Sequence, residues 1–109
     1  MVLYELLCIS KTNLKLRDLH ELIKASGSVI VDKGGIIRKF EDWGNIVLPK
    51  KIKKHQQIHY EGHHWTMLFD SNPHTQFEMS RILKLDTRVI RYSIIKLGAK
   101  LSEISEKSN

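Results

Sequence analysis

Histidines and lysines crowd one short stretch of this sequence. The segment LPKKIKKHQQIHYEGHHW, residues 48–65, contains four of the chain's six histidines and a single acidic residue, Glu61. It also contains the lysines Lys50, Lys51, Lys53 and Lys54. Residues of these types could bind a metal ion, transfer protons in catalysis or bind a polyanion. Each possibility makes a different demand on the rest of the chain.

The spacing of three histidines makes zinc binding one hypothesis. His55, His59 and His63 recur every four residues, which would align them on one side of a helix or a strand. A zinc protease needs a glutamate directly after the first histidine of a helix, whereas Glu61 stands two residues after His59 and Gly62 disfavours a helix. No cysteine or aspartate in the stretch completes a ligand set. We predict no metal and no other cofactor, and a zinc protein stays open as an alternative.

Nucleophilic catalysis has little support in the sequence. Cys8 lies in an apolar run typical of a central strand, so we expect a small buried side chain there. No serine stands beside an obvious base, and the glycines of KGG, residues 33–35, lack the spacing of a phosphate-binding loop. We predict that the protein is not an enzyme and has no small-molecule substrate.

The charge of the chain favours a polyanionic partner. Its 109 residues suffice for one compact domain, and 18 lysines and arginines against 12 aspartates and glutamates give a formal net charge of +6. Residues 49–65 hold four basic side chains against one acid, so the excess is concentrated there. Such a balance indicates nucleic acid or an anionic surface as partner. No apolar run is long enough to span a bilayer, so no membrane partner is expected.

The elements that must position these residues alternate between strand and helix patterns. Strands are predicted at residues 2–9, 36–48, 64–70 and 88–98, and helices from Lys15 to the KGG segment and from Pro73 to about Leu85, with Asn72 as cap. A break or an earlier end of the first helix at SGS, residues 26–28, stays open. This order is typical of an α+β, ferredoxin-like βαββαβ sandwich, in which a four-stranded antiparallel sheet carries two helices on one face. We predict one such domain over residues 1–98 and a polar C-terminal tail over residues 99–109. The lysine and histidine stretch becomes the loop between the second and third strands.

Two basic groups are candidates for RNA binding. Lysines in a loop are flexible charges suited to phosphate contacts, and arginine forms bidentate pairs with phosphate. Arg91 shares a strand face with Ser93, and Asp86 is an alternative partner for one of the two arginines. The third strand lacks the aromatic signature of domains that read single-stranded bases across the sheet, which favours contacts to the RNA backbone or shape. The predicted RNA-binding residues are Lys50, Lys51, Lys53, Lys54, Arg88 and Arg91.

An ordered series of segments resembles one known family. The segments are LYELL near the start, GGIIRKFEDWG, the lysine and histidine stretch, and LKLDTRVIRYSIIKL near the end. Together they are similar to the bacterial-type small-subunit ribosomal protein six family, and most of all to its fungal mitochondrial branch. The resemblance covers residues 1–97, nearly the whole predicted domain.

The resemblance implies a structural role in the mitochondrial small ribosomal subunit, within the mitochondrial matrix, in support of mitochondrial translation. It implies binding to small-subunit rRNA of the platform together with the ribosomal protein numbered eighteen and other small-subunit proteins, and no catalytic residues. A stand-alone RNA-binding module of the same fold outside the ribosome stays open as an alternative. So does a pure interaction protein that binds a partner regardless of its lysines.

Overall fold

One antiparallel sheet organises the protein, and the structure, a computed structural model, describes residues 1–98 of it. The elements in chain order are β1 (Val2–Ser10), α1 (Leu16–Asp32), β2 (Ile36–Lys54), β3 (Gln57–Ser71), α2 (Pro73–Leu85) and β4 (Val89–Gly98). The strands lie in the order β2-β3-β1-β4, and all neighbours are antiparallel. The predicted ferredoxin-like sandwich is confirmed. Residues 99–109 lie outside the described residues, so the division into domain and tail stays a prediction.

Alternation along the two central strands decides which face of the sheet the helices cover. Every second side chain of β1 and β3 points to the helices, including Leu6, Cys8 and Trp65, all at 0% exposure. They pack against a stripe on the two helices formed by Leu19, Leu22, Ile30, Met79 and Leu83. Burial raises the pKa of the Cys8 thiol to about 12, so the thiol stays neutral. The prediction of a small buried side chain at Cys8 is confirmed.

Both helices begin and end close to where the sequence signals place them. The Asn72 side chain caps α2 by accepting a hydrogen bond from the Thr75 backbone N–H at 2.8 Å, and Pro73 occupies the first turn. The first helix continues through SGS, residues 26–28, without a break and ends at Asp32, directly before the KGG segment. Within residues 1–98, neither helix combines the length and the apolar character that crossing a bilayer requires.

The β2–β3 hairpin is longer than the sequence predicts, and the predicted lysine loop is wrong. β2 continues past Pro49 to Lys54, and the connection shrinks to His55 and Gln56, with φ values of 51° and 63°. The ladder shifts between Val47 and Ile52, which accommodates Pro49 without ending the strand. Because the end of β1, Ser10, pairs with His63, residues 48–62 extend beyond the central strand. We call residues 48–62 the arm.

Candidate nucleic-acid interface

The arm is held against the body of the protein by an apolar cluster. Leu48 is buried with Ile9 of β1 and Ile90 of β4, and Ile52 packs on them. Gly62 lets the arm approach this closely, since a Cβ atom there would lie 2.3 Å from Ile9 Cγ2. This packing therefore fixes the backbone position of the lysines on either side of Ile52.

Two hollows open where the arm meets β4. The first hollow, of about 380 Å³, is lined by Ile9, Leu48, Pro49, Lys50, Lys51, Ile52, His64 and Arg91. The second hollow, of about 320 Å³, is lined by Ile52, Lys53, Lys54, Leu83, Lys84, Val89, Ile90, Arg91 and Tyr92. Ile52 and Arg91 line both. The two hollows are thus adjacent parts of one surface, which we call the basic surface.

Six cationic side chains and no carboxylate line the basic surface. The six are Lys50, Lys51, Lys53, Lys54, Lys84 and Arg91. Ion pairs elsewhere on the protein neutralise Lys33, Lys39 and Arg88, among others. Within residues 1–98, none of the six has a carboxylate oxygen within 4.0 Å of a charged nitrogen. This concentration of unpaired positive charge is what an extended polyanion requires.

The structure brings together five of the six predicted RNA-binding residues, since Arg88 lines neither hollow. Sequence reasoning missed two members of the surface, Lys84 and His64. Lys84 lies in the last turn of α2, where a cation also interacts favourably with the helix dipole, so its type alone carried no signal. His64 was noticed only as part of the histidine cluster.

Arg88 is engaged within the protein. Its guanidinium donates to both carboxylate oxygens of Asp86, at 3.0 and 2.8 Å, and to the backbone carbonyl of Asp18 at 3.2 Å. The hydrogen bond from Arg88 is the main reason why the pKa of Asp86 lies below its ordinary value of 3.8. The Arg88 side chain keeps 25% of its surface exposed. Three of its five N–H donors are thus committed to partners within the protein.

The histidine spacing that favoured zinc has a different meaning in an extended strand. His59 and His63 both lie in β3, where four residues span about 13 Å, so they cannot share an ion with ligand bonds of about 2 Å. His63 Nε2 instead lies 2.7 Å from Asp42 Oδ1, and His64 Nδ1 lies 2.9 Å from the Gly62 carbonyl oxygen. No group of three histidine, cysteine, aspartate or glutamate side chains within residues 1–98 is arranged to hold a metal ion.

The sheet face opposite the helices, which also holds Ile9, His64 and Arg91 of the first hollow, has a second accessible area around Trp43. Trp43 of β2 is 56% exposed there, and its indole N–H donates to Thr66 Oγ1 at 3.2 Å. The two side chains line a shallow hollow of about 210 Å³ together with Glu5, Lys39, Glu41 and Leu68. This area holds both charge signs and an exposed aromatic side chain, a residue type enriched at protein interfaces, whereas the charged side chains of the basic surface are all cationic.

Comparisons with known proteins agree with this architecture. The sequence profile of the family described as Ribosomal protein S6 matches residues 3–96. The small ribosomal subunit protein bS6m of Neurospora crassa is 37% identical over 105 residues, which are 95% of this chain and 89% of the relative. The bS6m protein of Drosophila melanogaster is 38% identical over 73% of this chain and 54% of the relative. Bacterial bS6 of Rickettsia canadensis is 31% identical over 96% of this chain and 84% of the relative.

A solved structure shows the same fold. The crystal structure of 30S ribosomal protein S6 from Thermotoga maritima superposes with a TM-score of 0.80, covering 98% of this chain and 94% of that chain at 19% identity. The relatives are structural proteins of the ribosome, which confirms the prediction that this chain is not an enzyme. The resemblance found in the sequence is likewise confirmed: the chain belongs to the ribosomal protein S6 family, whose members are constituents of the small ribosomal subunit.

Proposed function

We propose that the protein is a structural constituent of the mitochondrial small ribosomal subunit in the mitochondrial matrix and that it binds small-subunit rRNA of the platform. Two of the relatives carry the name bS6m, which is given to mitochondrial members of the family, and this supports the location. The observation that carries RNA binding is the basic surface, where six cations stand without a carboxylate partner in residues 1–98. Binding releases counterions from the RNA and is therefore strongly dependent on salt.

The cations of the basic surface have unequal roles in this proposal. Lys50, Lys51, Lys53 and Lys54 contact phosphates as flexible charges that position the protein without reading sequence. Arg91, at the junction of the two hollows, forms the bidentate phosphate contact. Arg88 adds a weaker contact through its remaining donors and chiefly holds the turn before β4. The charge pattern supports these assignments, and the family resemblance supports RNA binding by the chain as a whole.

We further propose that the open sheet face binds the ribosomal protein numbered eighteen. The mixed surface around Trp43 and Thr66 supports this assignment, because it lies on the face that the helices leave uncovered. A Trp43→Ala variant should lose capture of that partner while keeping its affinity for RNA. Tyr60→Ala removes an exposed aromatic side chain of the arm instead and should leave partner capture intact. Equal capture of the partner by Trp43→Ala and by the unchanged protein would contradict binding at the open sheet face.

Sedimentation tests the ribosomal assignment. Tagged full-length protein in a fungal mitochondrial lysate, run on a sucrose gradient with magnesium, should migrate with the small ribosomal subunit. Chelation of magnesium and treatment with ribonuclease should shift it to the top of the gradient. Sedimentation only as a free small protein would contradict the proposal. Binding to RNA combined with such free sedimentation would favour the stand-alone RNA-binding module.

A further inference from the structure

The first hollow is built differently from the second. Its floor is apolar, because Ile9 and Leu48 are buried there and Ile52 packs beside them. Its rim is cationic, because Lys50, Lys51 and Arg91 line it. A phosphate alone would be recognised by the rim and would leave the apolar floor unused. The combination fits a ligand with an apolar part joined to an anionic part.

A nucleotide that has left its base stack has these two parts. The base would cover the aliphatic floor and remove apolar surface from water, and the phosphates on either side of it would contact the lysines and the arginine. The volume of about 380 Å³ is within the range of about 300–1,000 Å³ that is usual for small-ligand pockets. Intact duplex RNA presents phosphates and 2′-hydroxyls at its surface but keeps its bases stacked, so it cannot fill the floor.

His64 gives the hollow a hydrogen-bonding group of known polarity. A carbonyl oxygen can only accept, so the contact of 2.9 Å between His64 Nδ1 and the Gly62 carbonyl oxygen places the proton on Nδ1. In the neutral ring, Nε2 is then an acceptor, and no donor within residues 1–98 contacts it. The imidazole can therefore accept a hydrogen bond from a nucleotide held against the floor.

We propose that the first hollow binds one unstacked nucleotide of RNA, with its base on the apolar floor beside His64 and its phosphates at Lys50, Lys51 and Arg91. The inference rests on the proposed RNA-binding function and adds that the preferred RNA has an unpaired nucleotide. The second hollow, which has Lys53, Lys54 and Lys84, serves the neighbouring backbone only.

A pair of RNA hairpins tests this proposal. The two share one stem, and one of them carries a single unpaired adenosine in its middle. Fluorescence anisotropy with the full-length protein at one salt concentration should show about tenfold tighter binding of the bulged hairpin, since burial of the base on the aliphatic floor and a hydrogen bond to His64 together contribute about 1.4 kcal/mol. His64→Ala should reduce this preference to about twofold or less. Lys53→Ala, the matched control in the second hollow, should weaken both hairpins by the same factor and leave their ratio unchanged.

A spectroscopic readout keeps the test independent of any variant. With 2-aminopurine at the unpaired position, binding should change the fluorescence of the base as it leaves the stem and enters the hollow. Equal affinity for both hairpins, or a fluorescence that does not change on binding, would overturn the proposal. Salt-dependent binding of both hairpins with equal affinity would contradict the nucleotide site and would still support RNA binding by the basic surface. Binding of neither hairpin would overturn both the nucleotide and direct RNA contact by this surface.

Discussion

Gly62→Ala, which adds a single Cβ atom, tests how closely the arm packs against β1. The backbone of Gly62 is outside the positive-φ region, because only Gly34 and Gly44 among the described glycines have positive φ. Alanine is therefore allowed at Gly62, and in open space it would stabilise a strand by about 0.5–1 kcal/mol relative to glycine. The sign of the measured change thus reports whether the space next to Gly62 is filled.

The structure predicts that Gly62→Ala destabilises the protein. The new Cβ atom would lie 2.3 Å from Ile9 Cγ2, which is attached to a β-branched carbon with little freedom to move. Overpacking of this kind costs about 1–3 kcal/mol, which exceeds the gain in strand propensity and leaves a net loss of about 1–2 kcal/mol. Thermal unfolding should show a Tm lower by about 4–15 °C for a domain of this size.

A double-mutant cycle makes this prediction sharp. Ile9→Ala removes the clashing methyl group, so Gly62→Ala should cost close to nothing, or stabilise, in that background. Glu61→Ala changes an exposed neighbour on the same strand and should leave Tm nearly unchanged. RNA affinity should fall for Gly62→Ala, because the displaced arm carries the lysines. A Gly62→Ala protein as stable as the unchanged one, or equal costs in both backgrounds, would refute the seating of the arm described above.

Three further predictions concern the body of the protein. Ser10→Ala should lower the free energy of unfolding in urea by about 1–3 kcal/mol, because the buried Trp65 indole N–H would lose its acceptor at 3.1 Å. The control Ser93→Ala, at an exposed position of β4, should lower it by less than about 0.5 kcal/mol. Asp86→Asn should lower stability by about 1–2 kcal/mol at pH 7. Since the pKa of Asp86 is lowered in the folded state, this deficit should shrink as pH falls below 3.8, and a deficit independent of pH would contradict the ion pair. Asn72→Ala should lower the free energy of unfolding by about 0.5–2 kcal/mol, because α2 would lose its cap. An unchanged Tm in thermal unfolding would show that the cap does not stabilise the protein.

The fold was predictable because its local signals agree with one another. Apolar alternation in β1 and β3, the Asn72–Pro73 start of α2 and the KGG end of α1 all indicate the same order of elements. Leu16 has the apolar type and the spacing of the buried stripe of α1, yet its side chain is exposed. Whether a residue at the start of α1 is covered depends on the extent of the sheet beneath it, which a local sequence pattern does not predict.

The arm could not be predicted from the same signals. A two-residue hairpin turn with positive φ at both positions is usually marked by asparagine or glycine, whereas His55 and Gln56 occupy it here. Pro49 also indicates the end of a strand, and only the ladder shift next to it lets β2 continue. The available signal was Ile52, an apolar residue between lysine pairs, which is typical of a strand with one face against an apolar surface.

For the six cations of the candidate interface, the sequence shows the residue types but not their arrangement in space. Their types could be read from the sequence, and five of them were named for that reason. Their proximity depends on the packing of the arm against β4, a tertiary contact. This contact places Lys84 and Arg91 beside Lys53 and Lys54, which are distant in the sequence. Arg88 lies three residues from Arg91, yet it faces Asp86 and Asp18 instead of the basic surface.

The salt dependence of RNA binding tests the central claim most directly. The affinity of the full-length protein for a small-subunit platform rRNA fragment should be measured over a range of salt concentrations, with and without substitution of Lys50, Lys51, Lys53 and Lys54 by glutamine. Each phosphate contact contributes about 0.7–0.9 to the slope of log affinity against log salt, so the four substitutions should reduce the slope by about 3. An unchanged slope, with the variant still folded, would contradict the assignment of the basic surface as the site of RNA contact.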